Sequence, residues 1–111
     1  MRRAEVAMFK VHIWLRKKDE MSAQEFRSYW ERQHAPIARE GYPNLKGYVV
    51  NVVTRVPQGQ EAPYDGVAEL SWDSRDDFSA DMKSEAAARG AEDQFTSASG
   101  LLFVEQFDAK S

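Results

Sequence analysis

A chain of 111 residues with 42% hydrophobic, 12% aromatic and 30% charged residues carries a formal net charge of −3 and no cysteine. That is one domain's worth of chain, able to bury roughly two thirds of the surface its unfolded form exposes, and too apolar for a disordered tail. The missing cysteine excludes disulfides, zinc ribbons, iron–sulfur clusters and thiol nucleophiles, so any chemistry rests on oxygen and nitrogen groups.

The charge is uneven. Residues 1–55 hold 11 Lys and Arg against 6 Asp and Glu, whereas residues 56–111 hold 4 against 12. Solvated faces are the plain reading, and complementary surfaces in an oligomer the other. No basic block longer than Arg16-Lys17-Lys18 and no nucleic-acid motif accompanies the positive half, so a nucleic-acid partner is not expected. No apolar run approaches a membrane span, and Met1 to Met8 lacks a hydrophobic signal region. The expectation is a cytoplasmic protein with no membrane partner.

Phe9, Val11, Ile13 and Leu15 alternate with Lys10, His12, Trp14 and Arg16, the period of a strand with one apolar face. Ser22 and Glu25 then form a capping box that opens a helix. Phe26, Trp30, His34 and Ile37 fall on one stripe of it. Pro36 lacks an N–H and its ring opposes the Arg32 carbonyl, which predicts a break near His34-Ala35 and a short second turn ending at Gly41. Leu45 to Val56 reads as the second strand and Tyr64 to Trp72 as the third, joined by a proline- and glycine-bearing loop. The acidic start Asp73 to Asp77 predicts a helix through Ser84, and Glu85 to Phe95 predicts helical pieces interrupted at Gly90. Leu101 to Phe107 is the expected fourth strand.

The order strand, helix, strand, strand, helix, strand predicts an α+β fold, ferredoxin-like βαββαβ, with a four-stranded antiparallel sheet and helices on one face. The other face carries bulky residues such as Trp14, so a homodimer burying one sheet against its mate is expected. One domain spans 1–111, with its core at about 8–108.

Nucleotide-binding, serine-hydrolase and zinc signatures are absent from the sequence, and two histidines 22 residues apart do not by spacing demand a metal. No cofactor and no metal is expected. His34, an imidazole on an apolar stripe beside a proline, reads either as a general acid or base or as a core histidine bonded to a freed carbonyl. His12 shares its face with Trp14 and Arg16, beneath a helix or in a dimer seam. Asp65, Glu69 and Glu105 are carboxylates at or in strands; Glu69 and Glu105 sit in apolar runs, either lining a pocket or facing solvent. Tyr29, Tyr48 and Tyr64 can donate to a bound carbonyl, and Trp14, Trp30 and Trp72 supply core or pocket wall.

Several segments together resemble the EthD family of the dimeric α+β barrel group. They are Met21 to Phe26, Tyr29-Trp30, His34-Ala35-Pro36-Ile37, Gly47-Tyr48, Tyr64 to Leu70, Glu92-Asp93-Gln94-Phe95 and Phe103-Val104-Glu105. The resemblance covers about Phe9 to Phe107 and implies a dimeric α+β barrel, with a cleft between sheet and helices and His34 as the family's histidine. Relatives include a methylmuconolactone isomerase and fungal polyketide decarboxylases or dehydratases. The cysteine associated with that isomerase has no counterpart here.

The leading expectation is a cofactor-independent enzyme moving protons on a small cyclic or aromatic, polyketide-like carbonyl compound, by cyclisation, decarboxylation, dehydration or isomerisation. In it His34 is general base or acid, Tyr48 polarises the carbonyl and Asp65 or Glu69 orients the imidazole. His12, Trp14, Trp30, Tyr64 and Glu105 are the expected substrate contacts. The alternative is a non-catalytic binding or accessory protein for a hydrophobic metabolite or a partner oxygenase. A cofactor-free oxygenase or haem-associated barrel is the third reading.

Overall fold

Period-two alternation produces β1 (Phe9–Lys17), which buries Val11 and Leu15 and turns His12 and Trp14 to the opposite face. The structure, a computed structural model, describes residues 8–110; the start read for a signal region, Met1 to Ala7, lies outside them. β2 (Leu45–Val52), β3 (Gly66–Trp72) and β4 (Thr96–Val104) complete an antiparallel sheet in the order β2-β3-β1-β4. β1 is central, paired with β3 from Phe9↔Trp72 to Leu15↔Gly66 and with β4 from Lys10↔Val104 to Lys17↔Thr96.

Register assigns the two faces, because directly paired residues point the same way. Val11 and Leu15 share the buried face with Ala68, Leu70 and Trp72, under the helices. The open face carries His12 and Trp14 of β1, Val67 and Glu69 of β3, Val49 of β2 and Leu102 of β4.

Four strand limits differ from expectation. β2 stops at Val52 rather than Val56, and β3 starts at Gly66 rather than Tyr64. β4 begins five residues before the expected Leu101 and ends at Val104, which leaves Glu105, Gln106 and Phe107 beyond it. Thr96 to Gly100 has weak strand propensity, but pairing with β1 overrides it.

Ser22 caps α1 (Ala23–Tyr29) through the expected box: Glu25 N–H donates to Ser22 Oγ at 3.0 Å and Ser22 N–H to Glu25 Oε1 at 2.9 Å. The expected break at His34-Ala35 does not occur. The helix instead widens into a π-helical turn (Trp30–His34), with Ala35 N–H donating to the Trp30 carbonyl, and continues as α2 (Ala35–Gly41) with Pro36 in its first turn. A widened turn just before proline lets the helix carry a ring that would otherwise meet the Arg32 carbonyl. The extra residue also shifts the phase of the stripe. Phe26 and Trp30 are buried as expected, but the next fully buried position is Ala38, with His34 and Ile37 half-buried.

α3 (Arg75–Met82) and α4 (Glu85–Glu92) are separate helices, capped by Ser74 and Ser84, whose hydroxyls each accept an N–H at 3.1 Å. α4 runs through Gly90 without interruption, and its close approach to α2 comes at Gly41, where a Cβ would overlap that of Ala86. Asp81, fully buried, joins three parts of the fold: it accepts from Trp72 Nε1 at 2.8 Å and from Asn44 N and Nδ2, each at 3.1 Å. Among the described residues no helix is long and apolar enough to cross a membrane.

Candidate active site

The π-helical turn sets His34 against the chain that leads into β4. His34 Nδ1 lies 2.8 Å from Asp93 Oδ2, and the Tyr29 hydroxyl donates to Asp93 Oδ1 at 2.6 Å. Asp93 caps the end of α4, and Phe95 two residues on packs its ring 4.6 Å from the imidazole and 5.0 Å from Tyr29. Each side chain is held from two sides.

The carboxylate fixes the tautomer. Asp93 can only accept, so Nδ1 carries a proton, and in the neutral ring Nε2 then presents the lone pair, for which no protein partner exists among the described residues. His34 is 21% exposed and Asp93 15%, so the pair is shielded yet reachable. Asp93 raises the Tyr29 phenol above its usual pKa, first through the hydrogen bond itself, so Tyr29 stays a donor. A histidine whose Nδ1–H is held by a carboxylate is the arrangement of a general base oriented by a third group.

The other expected residues lie elsewhere. Neither Asp65 nor Glu69 meets His34. Asp65 accepts the Lys17 N–H at 2.8 Å and ties the end of β1 to β3. Glu69 is on the open sheet face, where His12 Nε2 lies 3.1 Å from Oε1 and Lys10 Nζ lies 3.5 Å from Oε2. That pairing, with His12 first, lowers the Glu69 pKa. Trp14 lies on the same open face, covering Gly100 of β4. Tyr64 is half-buried in the loop before β3, and Glu105 is exposed beyond the end of β4.

Tyr48 and Trp30 do meet: Trp30 Nε1 donates to the Tyr48 hydroxyl at 3.1 Å. They wall a cavity of about 240 Å³ between the π-helical turn and β2, with Ala35, Val50 and Val52 on its apolar side. Arg27, Glu31 and Arg39 line the rest. His34 is not among its lining residues. Trp30 stands between the two, bonded to Tyr48 and packed against Phe95, which also packs against the imidazole. Burial pushes the Tyr48 phenol up, so it too remains protonated.

Asp93 was absent from the expected site because its local sequence, Glu92-Asp93-Gln94, reads as the polar end of a helix. The available signal was its place in a segment shared with the family. Among the described residues no group of three or more histidines and carboxylates is placed to hold a metal.

Comparison with curated protein sequences returns no match. Among solved structures, an EthD family protein of Bacillus halodurans superposes with a TM-score of 0.75 at 21% identity, covering 90% of this chain and 99% of that one. A hydroxynitrile lyase from Passiflora edulis gives 0.73 at 15% identity, covering 94% and 97%. A protein from Thermobifida fusca, described as dimeric, ferredoxin-like and of unknown function, gives 0.59 at 18% identity, covering 95% and 97%. These likenesses establish the ferredoxin-like fold. The family model described as EthD domain matches residues 18–97, a span that contains the capping box, the π-helical turn, Tyr48 and Asp93; this chain belongs to the EthD family.

Proposed function

We propose that this protein is a small enzyme that moves protons on a cyclic or aromatic oxygenated carbonyl compound without a cofactor, with His34 Nε2 as the group that takes and returns the proton. The observation that carries the reading is the Tyr29–Asp93–His34 relay at 2.6 and 2.8 Å, which holds Nδ1 as a donor and leaves Nε2 without a partner among the described residues. The lyase of the same fold supports an enzymatic role for this scaffold, not a particular substrate. Cyclisation, dehydration and isomerisation can each begin from such a step, and decarboxylation, which first releases CO2, ends with the return of a proton to carbon.

The test is exchange of carbon-bound protons in heavy water, followed by NMR across a panel of cyclic ketones, lactones and aromatic β-keto compounds. Wild-type protein should exchange at least one of them, and His34→Ala should lose about two to four powers of ten in rate. Equal rates in the two proteins would sink the mechanism.

One observation favours a second reading, a non-catalytic protein that holds a metabolite: the cavity lies across Trp30 from the imidazole. Under it, a ligand is bound and recovered unchanged after long incubation.

We also propose that two copies pair through the open sheet face. Val49 is 55% and Leu102 54% exposed there, on the two outer strands either side of the His12–Glu69 pair, with Trp14 on the same face, and exposed apolar groups on a sheet face suit an interface. The dimeric description of the Thermobifida fusca protein supports it.

A further inference from the structure

We infer that the cavity beside Trp30 takes a single-ring compound bearing an oxyanion, held by Arg27 and Arg39 and by a hydrogen bond from the Tyr48 hydroxyl. This goes beyond the proton-transfer reading and holds whether or not His34 acts on what is bound.

Size gives the first constraint. About 240 Å³ is below the roughly 300–1,000 Å³ of cavities that take drug-sized ligands, so one ring with a short substituent suits it. The apolar wall of Trp30, Ala35, Val50 and Val52 would cover the ring.

Tyr48 gives the second. Its oxygen accepts from Trp30 Nε1, and its own proton has no acceptor among the described residues. A half-buried hydroxyl with an unused proton at a cavity wall calls for an acceptor from the ligand.

The helix geometry gives the third. Residues twelve apart on a regular α-helix stand about 120° apart around the axis; absorbing one residue in the π-helical turn reduces this to about 20°. The turn therefore puts Arg27 and Arg39 on the same cavity. Against their two guanidiniums stands one carboxylate, Glu31, so the lining favours an anion. Arg39 is near enough to Tyr48 to favour negative charge on the phenol oxygen, so an oxyanion placed beside that oxygen feels the same field. The pair Arg39–Glu40, 3.5 Å apart and well exposed, is the kind worth little and yields to a better partner. Arg27 makes no ion pair among the described residues. Guanidinium forks match a carboxylate or enolate in a way they do not match a neutral amide.

The test uses benzoate, with benzamide as its neutral counterpart, titrated into the protein while the Trp30 indole N–H is followed by NMR. Benzoate should shift that signal saturably at millimolar concentration, and benzamide should bind about tenfold more weakly. Arg39→Gln and Arg27→Gln should each weaken benzoate about fivefold to tenfold and leave benzamide unchanged. Tyr48→Phe should weaken both. The inference is overturned if benzamide binds as well as benzoate, if neither arginine substitution matters, or if no saturable shift occurs. Turnover is not needed for any of these readings, so failure of the His34 mechanism and failure of this site are separate results.

Discussion

Asp93 Oδ2 lies 2.8 Å from His34 Nδ1, a contact between residues 59 apart in sequence that pins the end of α4 to the π-helical turn. Changing the acid to an amide tests what the contact does. In Asp93→Asn the amide can donate to Nδ1, which moves the imidazole proton to Nε2 and removes the basic lone pair. Turnover should fall by about two to four powers of ten, as in His34→Ala. Long-range nitrogen–proton NMR of the imidazole should show the changed tautomer in the variant. If the tautomer changed while the rate did not, the relay would be structural only.

The fold was legible because its signals are local. Alternation at Phe9 to Leu15, the Ser22–Glu25 box and the order of the elements each follow from neighbours in sequence. The site was only half legible. His34 stood out by its stripe and its proline, but its partner was sought among Asp65 and Glu69, and the fold supplies Asp93. Nothing local distinguishes Asp93 from other polar residues at a helix end. The same limit applied to β4, whose serine-rich start is a strand only because β1 lies beside it, and to the helix at Pro36, where a widened turn replaced the expected break.

Asp81 is the buried polar centre of the fold and should be costly to remove. Asp81→Ala leaves the Trp72 indole N–H and two donors of Asn44 without their acceptor. The loss should be about 3 kcal/mol or more, which for a domain of this size lowers Tm by roughly 10–20 °C. Calorimetry checks it. A shift below about 3 °C would mean that water satisfies these donors.

Gly66 lets the Trp30 ring lie directly on β3. A methyl group there would sit 2.6 Å from the ring and 3.2 Å from the Asn51 carbonyl, with backbone on one side and a buried indole on the other. Gly66→Ala should therefore cost about 1–3 kcal/mol by urea titration and displace Trp30 from Tyr48. Loss of the Trp30 N–H chemical shift typical of the bonded state is the independent readout.

The proposed pairing of open faces has a direct test. Val49→Lys and Leu102→Lys place charges on that face without touching the core beneath the helices. Sedimentation of wild-type protein at micromolar concentration should give the mass of two chains, and the double variant the mass of one. A monomeric wild-type protein would remove the pairing.

Glu69 gives the acid-side prediction. Its pKa is lowered, chiefly by the hydrogen bond to His12 and less by Lys10, so the folded state holds the carboxylate ionised below the ordinary value of 4.5. A depressed folded pKa contributes stability that is complete above the unfolded value and is lost as pH falls through the folded one. The difference in stability between wild type and Glu69→Gln should therefore be constant above about pH 6 if only this carboxylate titrates, and should shrink below pH 4.5 as both states bind the same proton. Because the Glu69 side chain is 34% exposed, the whole effect should be within about 1 kcal/mol. Urea titrations of both proteins from pH 7 to pH 3 measure it. A difference that grew on acidification would reverse the sign of the linkage and place the stabilising interaction of Glu69 in its neutral form.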